Sequence, residues 1–331
     1  MRTKTSASSG DSPFSSLVPI IETYFRQKHI FTSEPFYKAL GIIGFVLFII
    51  GPYIWAKHYW SWFESLFSGP VQMYFATTLG WSWLWHGSSL LVYWGIYRLK
   101  HPLFEQFKDS DRPWPWEYDP DFRQKIIKGL KVVGFNNFIL SPLFAYFMYL
   151  AGSIDTRTRS EDLPAFWVYV AQVLFMMVCE DFAFYHSHRL LHHPKLYPYI
   201  HKQHHEFYDT ISLSSEYAHP VEFVMGNLIP LGLGVTLLFG KAHLLSFLVF
   251  IALRLTETVE SHGGYDFPWA ITRFLPFGVS SKYHNHHHLK NIGNYGSFFI
   301  WWDSIYGTNS FYYNDLLVED KVFKNYVKKD Q

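Results

Sequence analysis

The sequence predicts an all-α protein: an integral membrane helical bundle of about four to six membrane helices, capped on the cytosolic side by a histidine-rich helical domain. Three observations support this fold class. Long apolar runs recur along the 331 residues. Aromatic residues make up 21% of the chain, while charged residues make up 17%, against about 25% in an ordinary soluble domain. Fourteen of the 18 histidines lie between His186 and His288.

Six apolar runs are the predicted helices of the bundle. Several of them reach the roughly 20 residues that a membrane-spanning helix needs. The sixth run is short and contains Arg254 and Glu257, so we expect it to be tilted, half-embedded or buried inside the bundle. Buried helices of a soluble protein are the alternative interpretation. In chain order the runs cover about Ala39–Trp55, Val71–Tyr97, Val132–Ala151, Ala165–Tyr185, Val221–Phe239 and Leu244–Val259.

The runs divide the chain into four regions. Residues 1–37 are predicted to be a cytosolic N-terminal segment, whose polar, Ser-rich start is disordered and is not a secretory signal. Residues 38–164 hold the first membrane helices and a basic cytosolic loop. Residues 165–310 hold most of the histidines, and residues 311–331 are a predicted cytosolic tail.

The loop Arg98–Lys131 indicates which side of the membrane is cytosolic. It contains eight Lys or Arg, and the loops predicted on the other side are poorer in them. Because cytoplasmic loops carry an excess of Lys and Arg, we expect this loop and both histidine-rich segments to face the cytosol. Lys328 and Lys329 match a retrieval pattern for the endoplasmic reticulum, although lysines of a solvated tail are the alternative. We therefore expect a multi-pass protein of that membrane.

Charge and cysteine content exclude other classes. The formal net charge of +1 gives no indication of a nucleic-acid partner, because such proteins usually carry a basic face. The single cysteine, Cys179, excludes an intrachain disulfide and makes a thiolate zinc site or an iron–sulfur cluster untenable. The sequence also has no Gly-rich phosphate loop and no Gly-x-Ser-x-Gly nucleophile elbow.

Eight histidines form three boxes with the spacing of metal ligands. Residues three and four apart share a helix face, so each box can direct its imidazoles to one point. Adjacent members differ by about 100° in direction, so they can serve two neighbouring metals. The boxes are His188 and His192; His201, His204 and His205; and His284, His287 and His288.

So dense a cluster of imidazoles is costly without a metal, because protonated rings repel one another. Imidazole binds zinc, copper, iron and nickel, so the spacing leaves the metal open. Eight ligands exceed the four of a structural zinc ion and predict a di-metal domain. A membrane metal carrier or sensor without catalysis is the alternative from another functional class.

Longer strings around the boxes resemble the fatty acid hydroxylase and sterol desaturase superfamily, and within it the C4-methylsterol oxidase branch. The resemblance covers about Val170 to Thr308. It rests on Glu180-Asp181, His188-Arg-Leu-Leu-His-His193, Tyr199-Ile-His-Lys-Gln-His-His-Glu-Phe207, Glu216-Tyr-Ala-His-Pro-Val-Glu222, Glu260-Ser-His-Gly-Gly-Tyr-Asp-Phe-Pro-Trp269, Gly293-Asn-Tyr295 and Trp301-Trp-Asp-Ser-Ile-Tyr-Gly-Thr308.

This resemblance implies that residues 165–310 are a catalytic domain with two non-haem iron ions. It implies O2 as co-substrate, and electrons from NAD(P)H delivered by cytochrome b5 and its reductase. It also implies two further ligands, His219 and His262, at positions where the superfamily keeps histidines. The expected function is oxidation of a sterol lipid, at the C4-methyl group of a 4-methylsterol.

Two positions depart from the pattern of the methylsterol oxidase branch. Phe184 occupies a position where these enzymes usually carry a histidine, and Tyr283 replaces another histidine just before the third box. All eight box histidines are kept. The departures leave open two other activities of the superfamily, removal of the sterol side chain and desaturation at C5.

Carboxylates beside the apolar runs are expected to act behind the ligands, by fixing the histidine tautomers. A charge near the end of an apolar run is expensive and usually functional. Arg254 is a candidate ion-pair partner for one of them. Four carboxylates are the preferred candidates: Glu180, Asp181, Glu257 and Glu260. The wider set of candidates also includes Glu206, Glu216, Glu222, Asp266 and Asp303.

Overall fold

Eight main helices, with shorter helical segments between and after them, form the architecture of residues 35–150 and 157–316, which are the residues that the computed structural model describes. Within these ranges there is no β-strand, only isolated bridges, so the all-α prediction is confirmed. The predicted disordered start, Lys328 and Lys329 lie outside the described residues. The helices are α1 Pro35–Glu64, α2 Pro70–Leu99, α3 Phe122–Leu150, α4 Phe166–Leu191, α5 Pro220–Leu237, α6 Leu244–Ser261, α7 Ser281–Lys290 and α8 Trp301–Tyr306.

Four of these helices are long and apolar enough to cross a membrane: α1, α3, α4 and α5. Helix α1 buries little of its surface inside the protein, and Ile43, Leu47 and Ile54 on it are more than half exposed. Such a surface is stable against lipid rather than water. The predicted membrane bundle is thus confirmed, with four candidate spans, the lowest number of the expected four to six.

Helix α6 is the buried centre of the bundle rather than a lipid-facing span. Nearly all of its side chains are buried, and it packs against α1, α2 and α4. Two indole N–H groups of α2 anchor it: Trp81 donates to the carbonyl oxygen of Leu248 at 3.0 Å, and Trp85 donates to the hydroxyl of Thr256 at 3.0 Å. The expectation that this short run is buried in the bundle agrees with this arrangement.

Helices α4 and α5 pack closely because one contact position is glycine. A Cβ atom at Gly234 of α5 would lie 2.6 Å from the Cα atom of Met176 in α4, closer than real Cβ atoms approach another atom. Small residues let membrane helices approach one another in this way. Two π turns, at Asn136–Leu140 in α3 and Phe223–Leu228 in α5, adjust the direction of these helices.

An ion-pair cluster joins α4 to α6 inside the bundle. The Arg254 guanidinium donates from Nε to Glu180 Oε1 at 2.6 Å and from Nη1 to Glu257 Oε2 at 2.5 Å. Arg254 therefore pairs with two of the predicted carboxylates rather than with one. All three side chains are buried, so each charge depends on the others for its compensation.

The basic loop Arg98–Lys131 lies at the same end of the bundle as the histidine boxes. Lys128 donates to the Glu206 carboxylate at 2.9 Å, directly beside the second box. The backbone N–H of Asp109 donates to the carbonyl oxygen of Gly264, and that of Asp266 donates to the carbonyl oxygen of Phe107. These contacts fix the loop against the segment that follows α6.

Candidate metal centre

The first and third boxes lie at helix ends. His188 occupies the last turn of α4 and His192 is the residue that ends it, so both rings project from the bundle end. Helix α7 carries the third box. It begins where the Ser280 hydroxyl accepts from the N–H of Tyr283, and it ends at Asn291, whose left-handed φ of 55° stops the helix.

The second box adopts a geometry that the sequence did not predict. Residues His201–Glu206 form a 3₁₀ helix rather than an α-helix. His201, His204 and His205 are all buried within it. A ninth histidine, His262, ends α6 and is buried as well.

Nine histidines converge into two groups, which together we call the histidine cage. Within each group, one possible ligand atom of every member lies within 4.8 Å of those of the others. The adjacent histidines of the second and third boxes are divided between the groups. Group one is His188, His192, His201, His205 and His287, and group two is His204, His262, His284 and His288.

The outer ring nitrogens of several cage histidines contact oxygen acceptors. Nδ1 of His188 lies 3.0 Å from the carbonyl oxygen of Tyr295, and Nδ1 of His287 lies 2.6 Å from that of Gly293. Similar contacts join Nδ1 of His262 to the Thr258 carbonyl at 2.8 Å and Nδ1 of His288 to the Phe207 carbonyl at 3.2 Å. An oxygen acceptor requires a proton on Nδ1, so it fixes the tautomer whose lone pair is on Nε2.

Those Nε2 lone pairs point at one another inside the cage. Nε2 of His192 is 3.2 Å from Nε2 of His287. Nε2 of His262 is 3.2 Å from Nε2 of His204 and 3.1 Å from Nε2 of His284. Nε2 of His188 and of His288 have no hydrogen-bond partner among the described residues. Converging lone pairs repel unless a cation lies between them, so the arrangement fits a metal ion in each group.

Burial keeps the cage imidazoles neutral. It lowers the pKa of His204 to about 4. Burial, reinforced by neighbouring imidazoles, lowers the pKa of His192 to about 2 and moves the pKa values of His205 and His287 well below their ordinary range. A neutral imidazole is the form that binds a metal, so at physiological pH the cage needs no deprotonation to accept one.

Glu222 is the carboxylate that contacts the cage. Its Oε1 accepts from Nδ1 of His201 at 2.7 Å, and both side chains are buried. Glu222 belonged to the wider set of candidate carboxylates but not to the four preferred ones. Its position in the string His219-Pro-Val-Glu222 was the available signal.

The four preferred carboxylates lie elsewhere, and none of their carboxyl groups hydrogen-bonds a cage histidine among the described residues. Glu180 and Glu257 hold Arg254, as described above. Asp181 accepts from the backbone N–H of Phe299 at 3.0 Å. Burial raises the pKa of Glu260 to about 8. These groups stabilise the packing of the helices that carry the cage.

The structure does not bring His219 into either group. Its Nδ1 accepts from the backbone N–H of Val221 at 3.2 Å, so the ring closes the start of α5 instead of facing the cage. The structure also places three box neighbours, His186, His193 and His286, outside both groups.

A small cavity of about 30 Å³ borders one side of the cage. It has room for about two molecules of the size of water. Imidazoles of both groups line it, including His188 and His204, and its other lining residues include the apolar side chains of Phe184, Leu191 and Ala218. Phe184, one of the two departures noted above, therefore stands at the cavity, with its ring centroid 5.2 Å from that of His188.

The chain is similar to a known protein family and to individual proteins. The family model for fatty acid hydroxylases matches residues 173–308. The chain is 35% identical to methylsterol monooxygenase 1 of Gallus gallus over 211 residues, which are 63% of this chain and 68% of the relative. It is 37% identical to the Rattus norvegicus protein of that name over 188 residues, or 56% of this chain and 63% of the relative.

Relatives with another name match over a shorter length. Very-long-chain aldehyde decarbonylase GL1-11 of Oryza sativa subsp. indica is 42% identical over 169 residues, or 49% of this chain and 61% of the relative. No solved structure matches the chain. Since the matched residues 173–308 include every cage histidine, the resemblance predicted from the boxes is confirmed, and the chain belongs to the fatty acid hydroxylase family.

Proposed function

We propose that this membrane protein is a non-haem di-iron oxygenase that oxidises a sterol, at the C4-methyl group of a 4-methylsterol. The observation that carries the proposal is the cage of five and four histidines in two adjoining groups. One closed zinc site needs four ligands, whereas this set suits a pair of ions. Two iron ions bound there would supply the reduction of O2 and the oxidation of an unactivated C–H bond.

The residues around the cage position the ligands and exclude water. The carbonyl oxygens behind Nδ1 of His188, His262, His287 and His288 hold these rings in one tautomer and one orientation. Glu222 does the same for His201. The apolar side chains of Phe184, Leu191 and Ala218 close the cavity against solvent, which protects a reactive oxidant from side reactions.

The cavity supports a methyl group as the reacting part of the substrate. It has room for a group as small as a methyl group or O2. We infer that the sterol body lies outside the cavity, among the apolar helices, while the methyl group reaches the cage. The relatives named methylsterol monooxygenase 1 support this substrate class.

We further propose that electrons come from NAD(P)H through its reductase and cytochrome b5, and that the cage faces the cytosol at the endoplasmic reticulum membrane. The cage shares its end of the bundle with the basic loop Arg98–Lys131, through the contact of Lys128 with Glu206. Excess Lys and Arg on one side is typical of cytosolic loops.

A second candidate function is action on a very-long-chain aldehyde. It is supported by the 42% identity to relatives named very-long-chain aldehyde decarbonylase. The other sterol activities, side-chain removal and C5 desaturation, share the same cage chemistry. The chemistry of the accumulated lipid separates all of these functions.

Lipid analysis of cells that lack the protein, combined with metal analysis of the purified protein, tests the proposal. We expect 4-methylsterols to accumulate and about two iron atoms per chain to be retained. Replacing the gene with a His204→Ala variant should leave the lipid defect and lower the iron content, while His286→Ala, outside the cage, should restore normal sterols. Accumulation of aldehydes, of C5-saturated sterols or of side-chain-bearing sterols would contradict the C4-methyl assignment. Zinc or copper in place of iron would contradict the di-iron assignment.

A further inference from the structure

Within the histidine cage, His192 differs from the other eight histidines in its exposure. It is half-buried, whereas the other eight are buried. It does not line the cavity, which lies against His188, His201, His204, His262 and His284. The cage therefore meets the substrate side at the cavity and approaches solvent at His192.

Two tyrosines connect His192 to the surface around it. The ring centroid of His192 lies 5.5 Å from that of Tyr197 and 5.0 Å from that of Tyr295. The Tyr197 hydroxyl contacts the side chain of Asn291, whose backbone N–H donates to the carbonyl oxygen of His287 at 2.7 Å. The segment after α4 and the end of α7 thus form one continuous surface.

The charged residues between α4 and the second box are cations, whereas at the α7 end Lys290 is paired with the half-exposed Asp315 at 3.4 Å. No Asp or Glu occurs between Asp181 and Glu206, or between Asp266 and Asp303. Lys195 and Lys202 are exposed, and the backbone N–H of Lys202 donates to the carbonyl oxygen of Tyr197. Apolar groups are exposed among these cations: Tyr199 is 80% and Ile292 is 40% exposed. An apolar centre with a charged rim is typical of an interface for a protein partner.

We propose that the surface formed by His192, Lys195, Tyr199, Lys202 and Ile292, called the His192 surface below, docks the acidic one-electron carrier that reduces the metal centre. The proposal rests on the proposed oxygenase function. Insertion of one oxygen atom of O2 into a C–H bond, with release of the other as water, consumes two electrons and two protons. A one-electron carrier must therefore bind twice per turnover, where its redox group comes closest to the cage. That place is His192.

Charge complementarity decides the partner. The exposed cations Lys195 and Lys202 attract an acidic protein and accelerate its association, and this attraction weakens as salt is added. The exposed cations of the loop Arg98–Lys131 are a competing docking site. That loop contacts the second box through Glu206, a carboxylate that already neutralises Lys128.

Charge reversal in nanodiscs of neutral lipid tests this assignment. The probe is the soluble haem domain of cytochrome b5, whose affinity is measured by titration and whose electron transfer to the iron-loaded protein is measured by stopped flow. For the double variant Lys195→Glu, Lys202→Glu, we expect the affinity and the rate of electron transfer each to fall about tenfold at low ionic strength. We also expect both quantities to depend less on salt concentration than in the unmodified protein. The matched control Arg123→Glu, Lys131→Glu reverses two exposed cations of the basic loop and should change neither. Iron content shows that each variant is folded, and Lys195→Glu alone, farther from His201, keeps the test available if the double variant fails to fold.

Three outcomes would overturn the docking surface: an unchanged double variant, a loss confined to the control variant, or an effect seen only in nanodiscs containing anionic lipid. The last would assign the surface to lipid headgroups. Because affinity is measured without turnover, the docking surface and the oxygenase function can be contradicted independently of each other. Affinity that depends on Lys195 and Lys202 without any oxidised sterol would contradict the sterol oxygenase function and leave the docking surface standing.

Discussion

At the scale of single residues, the cage depends on the oxygen atoms behind its histidines. Most of these acceptors are backbone carbonyls, such as those of Tyr295 and Gly293, which no substitution can remove. Glu222 is the exception, because it is a side chain that holds His201. It is therefore the acceptor that mutation can test.

We predict that Glu222→Ala weakens iron binding by about 10- to 100-fold, because such a substitution leaves the Nδ1–H of His201 without an acceptor and frees the ring to turn. Equilibrium dialysis against a chelator measures this change. Asp315→Ala is the matched control, since Asp315 contacts His286 at 3.0 Å outside the cage. Equal metal retention in both variants would show that Glu222 does not position the ligand.

The metal-free protein should lose stability in mild acid. An unfolded histidine takes up a proton near pH 6.5, while burial lowers the pKa of His204 to about 4. Between these values the unfolded chain binds more protons, so stability present above pH 6.5 is lost as the pH falls. One such histidine contributes about 3 kcal/mol over the interval. The melting temperature of metal-free protein should therefore fall from pH 7 to pH 5, and less so in His204→Asn. If the melting temperature did not change with pH in either the unmodified protein or the His204→Asn variant, a neutral, buried cage would be excluded.

At the scale of helices, the ion-pair cluster between α4 and α6 is the interaction with the largest cost of disruption. Arg254→Met leaves Glu180 and Glu257 buried without a counter-charge, so we predict a loss of about 3–5 kcal/mol. Thermal unfolding in detergent measures the change. Arg159→Met is the control, because Arg159 and Glu161 form an exposed pair that should contribute little. A small effect of both variants would mean that water or a proton compensates the carboxylates.

Some features of the helices could be predicted from the sequence, and others could not. Hydropathy predicted a run over Ala39–Trp55, but α1 extends to Glu64. Its last turns mix polar residues with aromatic ones, so they are helical without forming a continuous apolar run. Spacing identified the eight box histidines, yet it could not show that the second box is a 3₁₀ helix. Nor could it reveal that His219 closes α5 through Nδ1, because that depends on the backbone direction at Pro220.

At the scale of the whole molecule, the two ends of α4 should lie on opposite sides of the membrane. Glu161 precedes this candidate span, while Lys195 and the loop residue Arg123 lie at the end that carries the cage. In a Cys179→Ser background, we predict that Arg123→Cys and Lys195→Cys react with an impermeant maleimide in sealed microsomes. Glu161→Cys should react only after permeabilisation. The reverse pattern would place the cage in the lumen.

The cage is also assembled from distant parts of the chain, and this sets the order of its biosynthesis. Group one requires His287, and group two requires His284 and His288, so neither group is complete until the ribosome has passed α7. A nascent chain ending before Ser281 exposes half-built clusters. A metal ion can therefore complete its coordination in either group only after α7 has been made, so that metal loading is a late, separate step in the maturation of the protein.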